Sequence, residues 1–334
     1  MPMTVRPEWL AQVSEAALEP ARRVIDPHHH FFVPGGPFPA YDLPALHADT
    51  ALHGVRKTVY LQCGEGYRRT GPDALRCVGE TEWVTGIAAV AAQNPADTQI
   101  AGIVGTCELR AGAAVRGVLE AHRAASPLFR GIRQLAAWDA DPAVRSSAGL
   151  DNAALYDDAA FRAGAKVLAS MGLSLDCYHY HPQNASLLRL ARALPELPMV
   201  LDHLGTPLGI GSYAGRRAEI FTQWQRDLAA LARCPNVYIK LGGLAMPWTG
   251  FGYDDAARPP TFDELIADQG DYYHYAIEQF GPARCMFESN FPVDKCALSY
   301  TVLWNAFKKM AARYSEAERD LMFWGTATAF YRLE

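Results

Sequence analysis

The sequence contains no long hydrophobic run and no excess of positive charge. It has 334 residues, of which half are hydrophobic and a fifth are charged, with a formal net charge of -5. The apolar stretches reach only the length of a strand or a short helix, which argues against a membrane-spanning segment. The acidic balance and the absence of a basic patch argue against nucleic acid and anionic membranes as partners.

Paired cysteines and a secretory leader are also missing. The seven cysteines stand singly, none at metal-clip or redox spacing, and their number is odd. The first twenty residues are polar, are broken by Pro2, Pro7 and Pro20, and lack the apolar core of a signal peptide. Both features are typical of a cytoplasmic protein with reduced thiols.

What the sequence does contain is a regular alternation of apolar runs and helical stretches. Each strand from the second onward is followed by a helical pattern. This alternation predicts a single (β/α)8 TIM barrel over residues 1–334, with 1–21 as an N-terminal extension. Insertions at 64–79 and 245–260 are expected to lie over the active-site face. The predicted strands are 22–32, 56–65, 99–109, 129–136, 172–180, 197–205, 236–244 and 283–291.

Polar side chains follow most of the predicted strands. In barrels of this type the active site is built at the carboxyl ends of the strands. A barrel used only as a scaffold would not need so many ionisable groups there, so the pattern favours an enzyme. The residues concerned are His28, His30, Glu65, Glu108, Arg133, His179, His181, His203, Lys240, Glu288 and Asn290.

The motif "DPHHHFF" carries the clearest signal. Side chains alternate across a strand, so His28 and His30 are expected to share a face with Asp26, while His29 points away. Two imidazoles on one face can hold one metal ion or one substrate group. The alternative is a run of histidines satisfied by backbone carbonyls, which would be costly in a buried barrel without a role.

The motif "LDHLGTP" places two candidate residues side by side. By strand alternation, only one of Asp202 and His203 should face the barrel interior. His203 precedes a loop, as a site residue would. Asp202 is then expected to cap backbone amides or to orient a neighbour.

Further candidates would bind the substrate. Arg133 lies in an apolar strand and needs an anionic partner, which could be a substrate carboxylate, Glu65 or Glu108. Lys240 is either an electrophile or a solvated tip. The substrate-binding candidates are Arg133, Tyr178, His181, Lys240 and, more weakly, Glu65.

Seven motifs occur in an order that resembles the amidohydrolase superfamily. They are "IDPHHHFF", "GETEW", "FRGIRQL", "YHPQN", "VLDHLGTP", "VYIKLGGL" and "MFESNFPVDK", spread over residues 22 to 330. More narrowly, the chain resembles the lactonase-like branch that includes 2-pyrone-4,6-dicarboxylate lactonase and the sugar-acid lactonases. The resemblance implies an active centre of His28, His30, His203 and Asn290. It also implies lactone hydrolysis, often without a metal, although more distant members hold one Zn²⁺ or Mn²⁺.

The sequence departs from this family at Asn290, where the resemblance implies an aspartate that activates water. An amide cannot take a proton and is a poor ligand for a divalent cation. Another base is therefore needed, with Asp294, His203 and His181 as candidates and Glu288 one layer deeper in the barrel. We expect no required cofactor, although His28, His30 and His203 could hold a single Zn²⁺ or Mn²⁺.

Three functions remain open at this point. The first is a hydrolase that opens a lactone or another activated ester of an organic acid, and Trp138, Trp248 and Tyr253 in the loops suggest a flat or aromatic substrate. The second is a metal-dependent decarboxylase or carbon–carbon hydrolase. The third is a small-molecule binder without catalysis. A homodimer would be ordinary for such a barrel.

Overall fold

The protein forms one eight-stranded parallel barrel, as the sequence predicts. The computed structural model describes residues 3–333, so the ends of the predicted 1–334 unit, at residues 1, 2 and 334, lie outside the described range. The strands pair in chain order, and a parallel bridge between His29 and Phe291 joins the first strand to the segment that follows the last strand. The strands are β1 Val24–His29, β2 Val55–Leu61, β3 Gln99–Gly105, β4 Phe129–Arg133, β5 Ser174–Cys177, β6 Met199–Leu201, β7 Val237–Leu241 and β8 Cys285–Phe287.

Helices follow the strands and cover the barrel. The helices predicted after strands two to eight are all present, whereas the helices Pro7–Leu10, Leu43–Thr50, Glu316–Asp320 and Thr326–Tyr331 have no counterpart in the sequence prediction. The helices are α1 Pro7–Leu10, α2 Leu43–Thr50, α3 Val78–Ala91, α4 Val115–Ala125, α5 Ala159–Ser170, α6 Asn184–Ala193, α7 Arg217–Ala232, α8 Phe262–Phe280, α9 Tyr300–Ala311, α10 Glu316–Asp320 and α11 Thr326–Tyr331. Among residues 3–333, no helix is long and apolar enough to cross a membrane.

The apolar core has two layers because side chains alternate along each strand. In β6, Met199 and Leu201 pack outward with the helices, while Val200 packs inward. The inner layer also contains Phe330 and Tyr331 from the C-terminal segment, which fill the barrel on the side where the strands begin. This plug leaves the opposite end, at the carboxyl ends of the strands, for the polar residues.

The N-terminal segment packs beside the insertion after β7. Trp9 donates a hydrogen bond to the carbonyl of Ala256 at 3.0 Å. Farther along the segment, Lys308 of α9 donates to the carbonyl of Leu18 at 2.7 Å. These contacts fix the predicted extension against α9 and against the 245–260 loop.

Candidate active site

A cavity of about 110 Å³ opens at the carboxyl ends of the strands. Its floor is polar and its mouth is apolar. The floor residues are His30, Gln62, Arg133, His203 and Asn290, with Tyr178 and Cys63 on the wall, and the mouth residues are Phe32, Phe38, Leu135, Met246, Trp248 and Val293. Of the sequence candidates, His30, Arg133, Tyr178, His203 and Asn290 therefore meet at one cavity.

A register shift in β1 brings the two predicted histidines into the barrel. The pairing of β1 with β2 is irregular between Asp26 and His29, a stretch that contains Pro27. The Nε2 atoms of His28 and His30 lie 3.2 Å apart. The prediction that Asp26 shares their face was wrong, because its carboxylate instead accepts hydrogen bonds from the Ser289 amide and the Tyr300 hydroxyl of α9. The bulge offsets the strand alternation on which that prediction depended.

Both residues of the Asp202–His203 pair enter the site, so the prediction that only one would do so was also wrong. β6 ends at Leu201, and His203 and Leu204 have φ angles of 54° and 55°. Asp202 points inward by strand alternation, as Val200 does. The left-handed turn then brings His203 inward as well, which simple alternation does not allow.

Glu288 lies between His28 and His203. Its Oε1 accepts hydrogen bonds from the His203 amide at 3.1 Å and from His203 Nδ1 at 2.7 Å. Its Oε2 lies 2.7 Å from Nδ1 of His28. Burial would raise the pKa of Glu288, but the neighbouring histidines outweigh burial and hold the pKa below its ordinary value. The carboxylate is therefore ionised and orients both imidazoles.

Two glycines of the "KLGGL" motif leave the room for this arrangement. A Cβ atom at Gly242 would lie 2.5 Å from Cγ of Glu288 and 2.3 Å from its carbonyl oxygen. A Cβ atom at Gly243 would lie 2.4 Å from Nδ1 of His203, and Gly243 has φ +71°. Side chains at either position would displace the Glu288–His203 pair.

Lys240 lies beneath the floor and is fully buried, which excludes the solvated tip that the sequence left open. Its ammonium is 2.7 Å from Asp176, 3.0 Å from Asp202 and 3.1 Å from His28 Nδ1. Burial would lower the pKa of Lys240, but the two aspartates outweigh burial and raise it. The lysine is thus a fixed internal cation, with Asp176 also held by the Tyr331 hydroxyl at 2.5 Å.

Arg133 projects from the end of β4 into the cavity. Its Nη1 lies 3.2 Å from Nε2 of His28 and 3.8 Å from Asp202, and its Nη2 donates to the carbonyl of Gln62. Neither of the two glutamates considered from the sequence is a partner of Arg133 in residues 3–333, since Glu108 pairs with Arg110 on the surface. Asp202 is instead its carboxylate neighbour, and the guanidinium also lines the cavity, where its Nε has no hydrogen-bond partner among residues 3–333.

Asn290 and Asp294 form a pair at the cavity edge. Asn290 has φ 56°, lines the cavity, and donates from Nδ2 to Asp294 at 2.9 Å. Asp294 is fully buried behind it and also accepts from the Ala245 amide at 3.2 Å. Burial raises the pKa of Asp294 to about 7. Asp294 does not line the cavity, so it meets the site through Asn290.

His181 and Glu65, like His28, Lys240 and Asp294, are absent from the cavity lining. His181 is buried, its Nδ1 accepts from the Leu208 amide at 3.1 Å, and burial lowers its pKa to about 4. Glu65 is half-buried near Gly36 in the neighbouring loop. The 64–79 insertion adds no residue to the lining, whereas the 245–260 insertion adds Met246 and Trp248.

The sequence analysis pointed to Trp248 but missed the other apolar residues of the mouth, and below the floor it pointed to Lys240 but missed Asp176 as its partner. Phe32 and Phe38 flank the "VPGGP" turn after β1, and this aromatic–turn–aromatic pattern was the available signal. Tyr253, taken from sequence as an active-site aromatic, instead donates to Asp268 at 2.9 Å. Asp176 and Asp202 could be recognised as site residues only from their contacts with Lys240.

Three buried residues could hold a metal ion. His28, Asp202 and His203 offer ligand atoms within 4.8 Å of one another. This group contains Asp202 and does not contain His30, which was expected as a ligand. The contact of His30 Nδ1 with the carbonyl of Leu61 at 2.8 Å leaves its Nε2 available, 3.2 Å from Nε2 of His28. However, the Lys240 ammonium contacts both Asp202 and His28. A divalent cation would have to share these donors with a fixed positive charge, so the fit is poor.

The eight-stranded barrel, with histidines, carboxylates and an arginine converging at the carboxyl ends of its strands, has the architecture of a barrel hydrolase. The amidohydrolase family model matches residues 25–333. The chain belongs to the amidohydrolase family and is a hydrolase. The family membership and enzyme class predicted from the motifs are confirmed.

Individual relatives place the chain within this family. It is 34% identical over 289 residues to the uncharacterised protein y4mH of Sinorhizobium fredii, covering 86% of this chain and 84% of that one. It is 26% identical to an L-fucono-1,5-lactonase of Burkholderia ambifaria, covering 93% and 96%. A crystal structure of a Burkholderia multivorans amidohydrolase with bound zinc superposes with a TM-score of 0.73 at 25% identity, covering 94% and 100%.

Proposed function

We propose that this hydrolase opens a lactone, or a related cyclic or activated ester of an organic acid, by the attack of water. The observation that carries the proposal is the Glu288–His203 pair beside Arg133 at the cavity floor. This arrangement sets a base next to a cation in a small enclosed space. The similarity to an L-fucono-1,5-lactonase supports the same chemistry.

His203 is the proposed base. Because Glu288 accepts from Nδ1, the imidazole is held in the tautomer whose Nε2 has a free lone pair. A neutral imidazole suits proton transfer near pH 7. Asn290 donates from Nδ2 to Asp294, which leaves its Oδ1 to accept a hydrogen bond from the attacking water. Asp294 thus acts by orienting Asn290.

The residues of the site account for each proton transfer and each bond change in the reaction. Water attacks the acyl carbon while His203 takes one of its protons. The negative charge that develops on the carbonyl oxygen is stabilised by Arg133, which lines the cavity floor. His30 donates from Nδ1 to the carbonyl of Leu61, so its Nε2 can accept a hydrogen bond from the substrate or the water but cannot donate one to the oxyanion. The ring carbon–oxygen bond breaks, and the leaving oxygen receives the proton from His203. The product is a hydroxy acid whose carboxylate can pair with Arg133.

We propose that no metal is required, because Lys240 and Arg133 already supply positive charge around His28 and Asp202. If a divalent ion were bound, His28, Asp202 and His203 would hold it, and it would polarise the carbonyl or the water. The protein should be purified without added metal, analysed for metal content, and assayed before and after EDTA. Unchanged lactone hydrolysis by metal-free protein is the expected result.

The second candidate function, a metal-dependent decarboxylase or carbon–carbon hydrolase, is favoured by the buried donor group of His28, Asp202 and His203. It predicts one tightly bound Zn²⁺ or Mn²⁺ per chain. It also predicts loss of activity with EDTA. The elemental analysis above therefore separates the two functions.

The direct test compares His203→Gln with His47→Gln on a panel of lactones. His47 lies on α2, away from the cavity, with Nε2 contacting the carbonyl of Thr98 at 3.1 Å. Loss of a general base costs on the order of 100-fold to 10,000-fold in rate, so His203→Gln should lose that much kcat while His47→Gln keeps its activity. Full activity in His203→Gln would remove this mechanism.

The partner, location and assembly remain predictions. All seven cysteines are free thiols, which supports a reducing, cytoplasmic compartment. The Arg133 guanidinium at the floor supports a small organic acid as substrate. We expect neither nucleic acid nor membrane as a partner, and a homodimer remains an expectation to be tested by sedimentation.

A further inference from the structure

The mouth of the cavity is built almost entirely of apolar side chains. Phe32, Met246 and Val293 form a buried cluster, and Phe38 and Trp248 pack against it. All five line the cavity above the polar floor. A substrate whose acyl group reaches His203 and Arg133 must therefore place its remaining atoms against hydrocarbon and aromatic surface.

The aromatic side of the mouth is fixed by the loop after β1. Phe32 and Tyr41 exchange backbone hydrogen bonds of 3.1 and 3.0 Å, which close the loop between them. This closure returns Phe38 over Phe32, and the two rings stack 4.7 Å apart at an angle of 19°. The pair forms a flat wall with no hydrogen-bonding group.

The opposite side is fixed by the loop after β7. The Thr249 hydroxyl lies 2.7 Å from the carbonyls of both Leu244 and Met246. The carbonyl of Trp248 accepts from the Gly209 amide at 3.0 Å. These bonds hold Met246 and Trp248 over the cavity as a preformed surface.

The apolar mouth distinguishes between substrates by the polarity of their substituents. A hydroxyl group buried against Phe32, Phe38 or Met246 would lose its water without gaining a partner, whereas an alkyl or aryl group would gain contact area. Among the mouth side chains, the one hydrogen-bond donor is the indole Nε1 of Trp248, which has no partner within residues 3–333. The other polar groups of the lining are at the floor and wall, where the reacting ester group and a carboxylate would use them. A polyhydroxylated ring has more hydroxyls than this single donor can satisfy, so the others would face Phe32 and Phe38.

We infer that this site takes lactones or activated esters that carry an alkyl or aryl substituent, and that it discriminates against polyhydroxylated sugar lactones. The inference rests on the proposed function and names its substrate class. The substrate class inferred for this chain differs from that of the relative named an L-fucono-1,5-lactonase, whose substrate carries hydroxyl groups around the ring.

The test compares kcat/KM for dihydrocoumarin and δ-decanolactone with kcat/KM for L-fucono-1,5-lactone and D-glucono-1,5-lactone, corrected for spontaneous hydrolysis. One methylene or hydroxyl in an apolar pocket changes kcat/KM by roughly 10-fold to 200-fold, so the apolar lactones should be favoured by at least about 100-fold. Equal or faster hydrolysis of the sugar lactones would overturn the inference.

Variants of the mouth residues test whether the mouth causes the preference for apolar lactones. Trp248→Gln and Phe38→Ser should each reduce the ratio roughly 10-fold or more, whereas Trp248→Phe should preserve it because an apolar ring remains. Trp324→Gln is the matched control, since Trp324 lies at the other end of the barrel under Arg23. A ratio unmoved by both Trp248→Gln and Phe38→Ser would also overturn the inference.

A binding measurement separates this inference from the proposed function. If no lactone is opened, the hydrolytic proposal fails, but the mouth can still be tested with unreactive lactams by calorimetry. Binding of 3,4-dihydro-2-quinolinone, with weaker or undetectable binding of a polyhydroxylated δ-lactam, would uphold the inference. Equal binding, reversed preference or binding of neither lactam would refute it.

Discussion

Replacing Glu288 with Gln changes one atom of the carboxylate that orients both His28 and His203. The shape of the side chain is preserved, but its negative charge and one acceptor are lost. In the native protein this carboxylate accepts two hydrogen bonds from His203 and lies 2.7 Å from His28 Nδ1. The glutamine amide would have to donate toward one imidazole, which disturbs the tautomer that leaves His203 Nε2 free.

The expected losses of stability and of kcat follow from the two roles of the carboxylate, which stabilises the fold and orients the base. Hydrogen bonds to a charged group contribute roughly 1.5–3 kcal/mol each, so we expect the free energy of unfolding to fall by about that amount. A general base that is no longer held in place costs roughly 100-fold to 10,000-fold in kcat. Activity should therefore fall far more than stability, with kcat affected more than KM.

The assay combines lactone hydrolysis, urea unfolding and ¹⁵N NMR of the imidazole groups. The NMR spectrum should show His203 protonated at Nδ1 in the native protein and a changed tautomer population in Glu288→Gln. Glu80→Gln is the matched control, because Glu80 is a buried glutamate that accepts from Tyr60 and the Cys63 amide. A Glu288→Gln protein with native kcat and an unchanged tautomer would refute the reasoning.

Three further predictions follow from the buried charges and the glycines. Gly242→Ala should abolish most activity, because its Cβ would lie 2.5 Å from Cγ of Glu288, whereas Gly270→Ala, with no neighbour closer than 3.5 Å, should be silent in the same assay. Lys240→Met should cost roughly 3–5 kcal/mol in urea unfolding, because it leaves two aspartates without their cation, and should increase Zn²⁺ binding measured by calorimetry. The free energy of unfolding should also fall steeply as the pH drops from about 6 to 5. Seven histidines are held neutral by burial and take up protons once the chain unfolds, which favours the unfolded state at lower pH. Three buried aspartates with raised pKa lose protons on unfolding and offset part of this effect. The net slope is on the order of 5 kcal/mol per pH unit, measurable by thermal unfolding, and a flat profile would contradict it. The histidines are His28, His29, His30, His53, His122, His179 and His181, and the aspartates are Asp26, Asp176 and Asp294.

The sequence by itself determined the barrel and the family. Eight apolar runs with helical patterns between them allow few other architectures, since parallel strands joined by helices must pack with helices outside. The same alternation predicted that polar residues at the strand ends would converge. For His30, Arg133, Tyr178, His203 and Asn290 this prediction gave the correct location, because the carboxyl ends of parallel strands all lie on one face.

Only the tertiary structure decided which ionisable groups are partners. A bulge in β1 moved Asp26 away from the histidines, and a left-handed turn at His203 brought two consecutive residues inside. Both features break the two-residue period, so no reading of alternation could place them. The Glu288–His203 contact and the clearance at Gly242 likewise join β6, β7 and β8. Such contacts depend on distances between strands that are far apart in the chain, which is why the sequence left the base unassigned.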